Sequence, residues 1–220
     1  MTNDYTISKK NRIRQLAEYA HYDRATVHRI LDAGLVAQVG LIENAAAIVV
    51  PMIYGREDQT LFLHGARKAR IIKLLAAHQD ACVNVTLLDG LVLARSAFNS
   101  SMRYRSATVF GKPRLIESSS EKLHAMRIIS EHSMPGRWDE LREPWPRELK
   151  MTGVIRLDIE HASAKESASL PDDEEDDYDA PVWAGALTMT TTFEALVDDD
   201  RLQPTVEPSV AVRSLLGRKL

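Results

Sequence analysis

The stretch LLDGLVLARSAFNSSMRYRS, residues 87–106, decides the fold, because it places a polar corner between two apolar runs. Its last eleven residues, 96–106, contain two arginines, a tyrosine, a phenylalanine and five serines or asparagines. Buried polar groups need hydrogen-bond partners from the chain or from a ligand. The stretch therefore predicts two strands joined by a polar corner, which is either a polar hairpin loop or a ligand-binding segment.

Further strand-like runs flank this corner on both sides. The pattern of apolar residues and turn signals predicts strands at 35–42, 45–54, 60–65, 81–88, 91–98, 104–116, 152–160 and 181–189, with turns at Glu43-Asn44 and at Asp89-Gly90. Adjacent strands linked by hairpins favour an antiparallel barrel over a parallel sheet. The fold class expected is mainly β with inserted helices.

Helical patterns interrupt the strands. Residues 23–33 predict a helix capped by Asp23 and ended by Gly34 in the left-handed conformation. Residues 64–78 predict a second helix, and 118–133 predict a third that starts with the capping box Ser118 to Glu121. We expect one domain over residues 1–197 and a tail at 198–220, in which a short helix carries Val210, Val212, Leu215 and Leu216.

Composition is that of an ordinary globular protein. The 220 residues are 45% hydrophobic and 27% charged, with a formal net charge of −3. No apolar run is long enough to cross a membrane, and the N-terminal residues lack an export signal. Cys82 is the single cysteine, which excludes an intrachain disulfide. A cytoplasmic location without a membrane partner is expected.

Acidic residues are concentrated in one loop, predicted at 171–180. Residues 172–179, DDEEDDYD, carry seven acids. Like-charge repulsion favours an extended, solvated loop. The other interpretation is a docking or cation-binding segment.

Several function classes lack their motifs. The chain has no G-x-G-x-x-G dinucleotide fingerprint, no phosphate-binding P-loop and no G-x-S-x-G nucleophile turn. Its histidines form no H-x-x-x-H pair, and the charge balance is not that of a nucleic-acid-binding protein. We therefore expect neither a metal site nor a nucleic-acid partner.

Two basic segments suggest an anionic ligand. In HGARKAR, residues 64–70, the predicted helix start gathers Arg67, Lys68 and Arg70, where an anion such as a phosphate monoester stabilises free amides and cations together. In the polar corner, Arg105 has the forked guanidinium that suits phosphate oxygens. The alternatives are a solvated basic helix start and a polar hairpin loop. Trp183 either plugs the end of the barrel or flanks a flat aromatic ligand.

The order VVPMIY, LFLHGARKARIIKLL, VNVTLLDGLVLARSAF, SMRYRSATVFGKPR and PVWAG resembles the pyridoxamine-5′-phosphate-oxidase-related flavin-binding split barrels, in particular the nitroimidazole-reductase-like branch, from about residue 12 to 190. The resemblance implies an antiparallel, Greek-key-like split β-barrel that forms a homodimer and binds one FMN per subunit at the interface. It also implies a flavin-dependent reductase or oxidase that acts on a small flat or nitro-aromatic substrate.

The resemblance assigns cofactor contacts but no catalytic residue. By it, the phosphate is held by Arg70 and Lys73. The isoalloxazine lies along the backbone of Met52, Ile53 and Tyr54; the ribityl side is lined by His64, Gly65 and Ala66; and the pocket is completed by Tyr104, Arg105, Ser106 and Trp183. Arg105 or the backbone near Tyr54 is expected to stabilise the reduced flavin.

Two departures from the oxidases argue against vitamin B6 oxidation. Ala69-Arg70-Ile71 stands where they have Ser-Arg-Lys, and no arginine motif follows Trp183. Three alternatives stay open: a flavin carrier or redox sensor without turnover, a haem-binding split barrel with His64 or His161 as axial ligand, and a structural dimer without a ligand.

Overall fold

Eight strands make up the sheet in the computed structural model, which describes residues 4–78 and 80–220. Their order is β1-β7-β4-β3-β2-β5-β6, with β8 paired to β5 and a further pairing of β6 with β7. The registers of β1–β7, β2–β3, β3–β4, β4–β7 and β5–β8 are all antiparallel. The strands are β1 (Ala20–His21), β2 (Val36–Glu43), β3 (Ala46–Glu57), β4 (Thr60–Ala66), β5 (Ala81–Leu93), β6 (Ser101–Leu115), β7 (Thr152–Ser167) and β8 (Gly185–Thr188).

Five α-helices occur in the same part of the chain. They are α1 (Arg24–Ala33), α2 (Arg70–Ala77), α3 (Ser119–Ser133), α4 (Pro146–Met151) and α5 (Val210–Leu215). The predicted fold class, mainly β and antiparallel with inserted helices, is confirmed. The sequence pattern did not predict β1 or α4, both of which are short.

The described residues group into two units. The first comprises 4–34, 84–109 and 161–190, and the second comprises 35–78, 80–83, 110–160 and 191–220. The predicted division into a domain at 1–197 and a tail stays a prediction. Within the second unit, the Gly217 N–H donates to the Phe193 carbonyl at 2.9 Å, and the Leu220 N–H donates to the Thr191 carbonyl at 3.1 Å.

The turn between β2 and β3 depends on two left-handed residues. Asn44 and Ala45 have φ angles of 50° and 63°, the signs that a two-residue type I′ hairpin requires. Glu43 pairs with Ala46 on either side of this turn. The predicted hairpin is therefore confirmed, but its turn is Asn44-Ala45, one residue later than the predicted Glu43-Asn44.

Helix α1 begins as its capping residue predicts. The Asp23 carboxylate accepts a hydrogen bond from the Thr26 N–H at 2.7 Å. Gly34, however, has an extended φ of −79°, so the predicted left-handed ending is wrong. The chain leads directly into β2 at Val36, and an extended residue makes that connection without a reversal.

Strand β5 passes without a turn through the dipeptide that predicted one. Gly90 pairs with Thr188 of β8 and has a φ of +152°. A Cβ at this position would lie 2.4 Å from the Leu187 carbonyl oxygen. Pairing with β8 holds the chain extended here, so the predicted Asp89-Gly90 turn is wrong.

Helix α3 packs closely against β3 in the second unit. A Cβ at Gly55 would lie 2.8 Å from the Ile128 backbone, so this glycine permits the close approach of helix and strand. The Ser118 hydroxyl caps the helix by accepting from the Glu121 N–H at 3.4 Å, which is one of the two hydrogen bonds of the predicted capping box. The apolar cluster beneath the helix consists of Phe62, Ile116, Ala125, Ile129 and Val154.

Candidate functional site

The twelve residues predicted to contact a cofactor are divided between the two units. Eight lie in the second unit: Met52, Ile53, Tyr54, His64, Gly65, Ala66, Arg70 and Lys73. Four lie in the first: Tyr104, Arg105, Ser106 and Trp183.

The basic segment after β4 is a turn followed by a helix. The Arg67 N–H donates to the Met151 carbonyl at 2.8 Å, continuing the pairing of β4 with β7 by one residue. Because the Arg67 N–H bonds to the Met151 carbonyl, Arg67 continues the strand pairing, and α2 begins only at Arg70. The prediction that placed Arg67 and Lys68 in the first helical turn is wrong.

Arg70 and Lys73 lie one turn apart on the exposed face of α2. The Arg70 side chain is 73% exposed, and its Nη2 donates to the Glu43 carboxylate at 2.5 Å. The N-cap residue, Ala69, has no side chain to bond the first amides of the helix. Two cations beside uncapped amides have the chemistry that a phosphate needs.

The side chains of β3 near the predicted flavin contacts alternate between the core and the exposed face of the strand. Met52 and Tyr54 point into the core, at 8% and 0% exposure, whereas Ile53 is 47% exposed. The Tyr54 ring packs on His132 with 4.7 Å between ring centroids. A ligand on the exposed face of this strand would meet Ile53, and the expected backbone contact stays a prediction.

His64 lies at the end of β4 with its side chain exposed. The pKa of His64 is nevertheless lowered, because neighbouring protein atoms partly desolvate its imidazole. The imidazole is thus held more firmly in its neutral form than a histidine in water. At the next residue, Gly65, a Cβ would lie 3.3 Å from Ile72.

In the first unit, Arg105 has a carboxylate partner. Its Nε and Nη2 donate to the two Asp89 carboxylate oxygens at 2.9 and 2.7 Å, and this pair raises the pKa of Arg105. The fork that the sequence suggested for phosphate oxygens is therefore engaged by Asp89. Sequence reasoning does not find this partner, because Asp89-Gly90 is a local turn signal.

Ser106 belongs to a polar cluster across β5 and β6. The Asn84 amide donates to the hydroxyls of Ser106 and Thr108 at 3.0 and 2.9 Å. The Thr86 hydroxyl donates to the side-chain Oδ1 of Asn84 at 2.9 Å and lies 2.9 Å from the Ser106 hydroxyl. Tyr104, two residues before Ser106, is half-buried. An asparagine inside the apolar strand ACVNVTLL was the available signal for this cluster.

The loop between β5 and β6 is held largely by its own polar side chains. The Ser100 hydroxyl donates to the Ser96 carbonyl at 2.8 Å and accepts from the Ala94 N–H at 3.1 Å. The Ser96 hydroxyl accepts from the Asn99 N–H at 3.1 Å. These bonds support the polar-hairpin interpretation of residues 94–100.

The acidic segment is anchored to the same loop. The Asp173 carboxylate, with a fully buried side chain, accepts from the Arg95 N–H at 2.9 Å and from its guanidinium at 3.0 Å. Arg95 also lies over the Tyr178 ring, 4.9 Å from its centroid. The expectation of a wholly solvated acidic loop is wrong at Asp173, because a cation pairs with this one acid.

Trp183 is 68% exposed in the first unit. Its ring lies against Gly185, where a Cβ would come within 2.7 Å of the indole. This glycine therefore lets the indole approach the start of β8 closely. An exposed aromatic face remains for a ligand or a partner.

Two of the seven histidines lack partners within the described residues: His64 and His161. The Nδ1 of His161 is buried without a hydrogen bond. The other five contact neighbouring groups: His21, His28, His78, His124 and His132.

Across residues 4–78 and 80–220, no three or more His, Cys, Asp or Glu side chains are grouped so as to hold a metal ion. No helix in these ranges has the length and apolarity needed to span a bilayer.

Residues 23–166 match the family model described as pyridoxamine 5′-phosphate oxidase. Solved structures also resemble the chain. The flavocytochrome Anf3 from Azotobacter vinelandii is 35% identical with a TM-score of 0.89, over 96% of this chain and 98% of that chain. The FAD and haem binding protein from Mycobacterium smegmatis is 33% identical with a TM-score of 0.87, over 90% of this chain and 98% of that chain.

A more distant match is a candidate 5-nitroimidazole antibiotic resistance protein from Bacteroides thetaiotaomicron. It is 26% identical with a TM-score of 0.57, over 66% of this chain and 85% of that chain. A search of curated proteins found no match.

Proposed function

Because this chain belongs to the pyridoxamine 5′-phosphate oxidase family of flavin-binding split barrels, we propose that it is a flavin-dependent oxidoreductase for a small flat or nitro-aromatic substrate. The observation that carries this proposal is the cation pair, Arg70 and Lys73, at the uncapped start of α2. Its donors suit a phosphate group, and the resemblance assigns the flavin phosphate to the same two residues.

The nucleotide we propose is FAD, in place of the FMN expected from the sequence. The support is the M. smegmatis protein, described as FAD-binding, which is 33% identical over 90% of this chain. Chromatography of the chromophore released by heat distinguishes the two, since FMN in the supernatant would restore the original prediction.

A bound flavin supplies the redox chemistry, while the chain binds and orients it. Arg70 and Lys73 would hold the phosphate by charge-assisted hydrogen bonds, with Glu43 keeping the Arg70 guanidinium in place. The ring would lie along β3, as the family resemblance implies. The four residues of the first unit stay proposed contacts, but Asp89 already neutralises part of the charge of Arg105.

The test of the phosphate site is flavin retention in the double variant Arg70→Ala/Lys73→Ala. We expect it to purify with much less flavin per protein than the parent, because both phosphate cations are gone. The matched control is Lys112→Ala/Arg114→Ala, which removes two exposed cations from β6. Equal flavin content in the double variant and the control would show that the phosphate lies elsewhere.

Turnover separates an enzyme from a flavin carrier or redox sensor. We expect NAD(P)H to bleach the flavin absorbance of the protein and a nitro-aromatic compound to restore it. A bound flavin that no reductant in this class reduces would favour the carrier.

Haem binding is a second candidate function, favoured by the two histidines without partners. His64 has a lowered pKa and His161 has an unbonded, buried Nδ1. A neutral imidazole is a common axial ligand of haem iron. The two most similar structures described above are a flavocytochrome and an FAD and haem binding protein.

The Soret absorbance of the purified protein tests this second candidate. We expect it in the parent protein, and we expect His64→Gln or His161→Gln to weaken or shift it. His21→Gln, which changes a histidine facing Glu166, is the control. A Soret band unchanged in both variants would exclude the two histidines as ligands, and its absence from haem-supplemented parent protein would exclude haem binding.

The proposed partner is a second copy of the chain. Residues of β2 and β3 that share a face by register form an exposed apolar surface: Val36, Ile42, Ala47, Val49, Pro51 and Ile53. A face of this kind on a soluble subunit is typical of an interface. It supports the homodimer that the family resemblance implies.

A further inference from the structure

The second unit contains a cavity of about 890 Å³ beside the turn that follows β4. This volume is in the range of about 300–1,000 Å³ that small-molecule sites occupy. Neither Arg70 nor Lys73 lines it, and only Ala66 is shared with the predicted flavin contacts. The lining residues are Ala66, Arg67, Lys68, Glu117, Ser119, Lys122, Pro146, Leu149, Lys150 and Met151.

The lining carries a strong excess of positive charge. Four side chains are cationic, and Glu117 is the single carboxylate, a formal excess of three positive charges. Arg67 donates to both Glu117 oxygens at 2.8 Å, and none of the three lysines forms a salt bridge among the described residues, although the Glu117 charge acts on Lys122. Cations gathered in a concave, partly desolvated site repel one another until an anion enters.

Lys122 is the most buried of the three lysines. It is only 4% exposed, and its ammonium donates to the carbonyls of Thr152 and Leu149 at 3.2 and 3.5 Å. Burial, followed by the charge of Arg67, lowers its pKa. A buried ammonium without an ion-pair partner is costly, and an anion in the cavity would relieve that cost.

Much of the remaining cavity wall is apolar and suits an organic group attached to the anion. Pro146, Leu149 and Met151 contribute apolar surface, and Met151 is 70% exposed. Ser119 lies in the first turn of the fifteen-residue helix α3, whose positive end favours an anion. Three unpaired lysines suit the charge of a phosphate better than that of a single carboxylate.

We propose that this cavity binds a phosphate ester carried on an organic group, such as a nucleotide. The ester has two sources, a free nucleotide or the phosphates of the bound flavin. The first is a site separate from the proposed flavin site, and the second is an extension of it.

Calorimetric titration of the purified protein with ADP, with adenosine as the ligand control, tests the inference. The variants are Lys122→Met, which keeps the bulk of the side chain without its charge, and Lys68→Glu, which reverses an exposed charge. Lys112→Met on β6 is the matched control. We expect ADP but not adenosine to bind, and we expect each cavity variant to weaken binding about tenfold or more. Thermal melting of each variant checks that it is folded.

The outcomes distinguish a free nucleotide from the bound flavin as the source of the phosphate. They also distinguish failure of this inference from failure of the proposed function. Lost ADP binding with unchanged flavin content would indicate a free phosphate ester, and it would stand even if the protein held no flavin. Flavin lost from Lys122→Met and Lys68→Glu but not from Lys112→Met would indicate the phosphates of the flavin. If the variants retain flavin and ADP either does not bind or binds them as it binds the parent, the inference is wrong.

Discussion

Gly90 determines how β5 continues where its sequence predicts a turn. Its φ of +152° is in a region that residues with side chains rarely adopt, and a Cβ added there would lie 2.4 Å from the Leu187 carbonyl oxygen. Gly40, in β2, has a free site by comparison, with the nearest atom 3.6 Å from an added Cβ. The backbone conformation and the close contact at Gly90 therefore require glycine, whereas the space around Gly40 admits a Cβ.

We predict that Gly90→Ala lowers the free energy of unfolding by about 2–4 kcal/mol, through backbone strain and the clash with β8. Gly40→Ala should change it by less than about 1 kcal/mol. Urea denaturation of both variants measures the difference. Equal stabilities would show that β8 moves aside without cost.

At the scale of elements, features specified by neighbouring residues were predictable. Helices α1 and α3 were located from their caps and apolar periodicity, and the β2–β3 hairpin from its turn. The start of α2 was not, because the Arg67 amide bonds to Met151, which is distant in sequence. The end of β5 and the course through Asp89 likewise depend on β8.

In the candidate site, too, the features specified by neighbouring residues were predictable and those set by distant residues were not. The exposed cations Arg70 and Lys73 are where a helical pattern puts them. The partner of Arg105 was not predictable, since Asp89-Gly90 is a strong local turn signal and the tertiary pairing overrides it. Lys122 gave no signal either, because a lysine on a helix is normally solvated.

The N-cap of α1 gives a prediction about helix stability and pH. The Thr26 N–H lowers the pKa of Asp23 from 3.8. The stabilisation is therefore present above the unfolded pKa and is lost as pH falls through the folded value. Asp23→Ala should cost about 1 kcal/mol at neutral pH. Asp23→Asn should retain the cap but lose its part of the acid dependence. Thermal melts between neutral and acid pH test this, and an unchanged acid limb in Asp23→Asn would contradict it.

The anchored acidic loop gives a second prediction at this scale. Asp173→Ala leaves Arg95 without its buried partner and should cost about 2–3 kcal/mol, with faster proteolysis of residues 171–180. Asp172→Ala, the adjacent exposed acid, is the control and should behave as the parent. Urea denaturation and limited proteolysis supply both readouts. Equal effects of the two variants would show that the ion pair does not anchor the loop.

At the scale of the whole molecule, the apolar face of β2 and β3 and the family both favour association. Val49 is 62% exposed and Ile42 is 61% exposed on this face. Exposed apolar area of this kind is ordinarily covered in a functioning assembly. The cytoplasmic location expected from composition stays a prediction.

We predict that the protein sediments as a dimer and that Val49→Glu shifts it towards monomer, because a charge would be buried in the interface. Val197→Glu makes the same change at a residue that is 92% exposed and lies outside this face. It should leave the dimer intact. A parent protein that sediments as a monomer would contradict the predicted dimer. Equal sedimentation of all three proteins as dimers would place the interface elsewhere.

The most direct test of the central claim is the absorbance spectrum of the freshly purified protein. The account predicts the bands of an oxidised flavin, with a flavin nucleotide released by heat. A colourless protein that also fails to bind added FMN or FAD would contradict it.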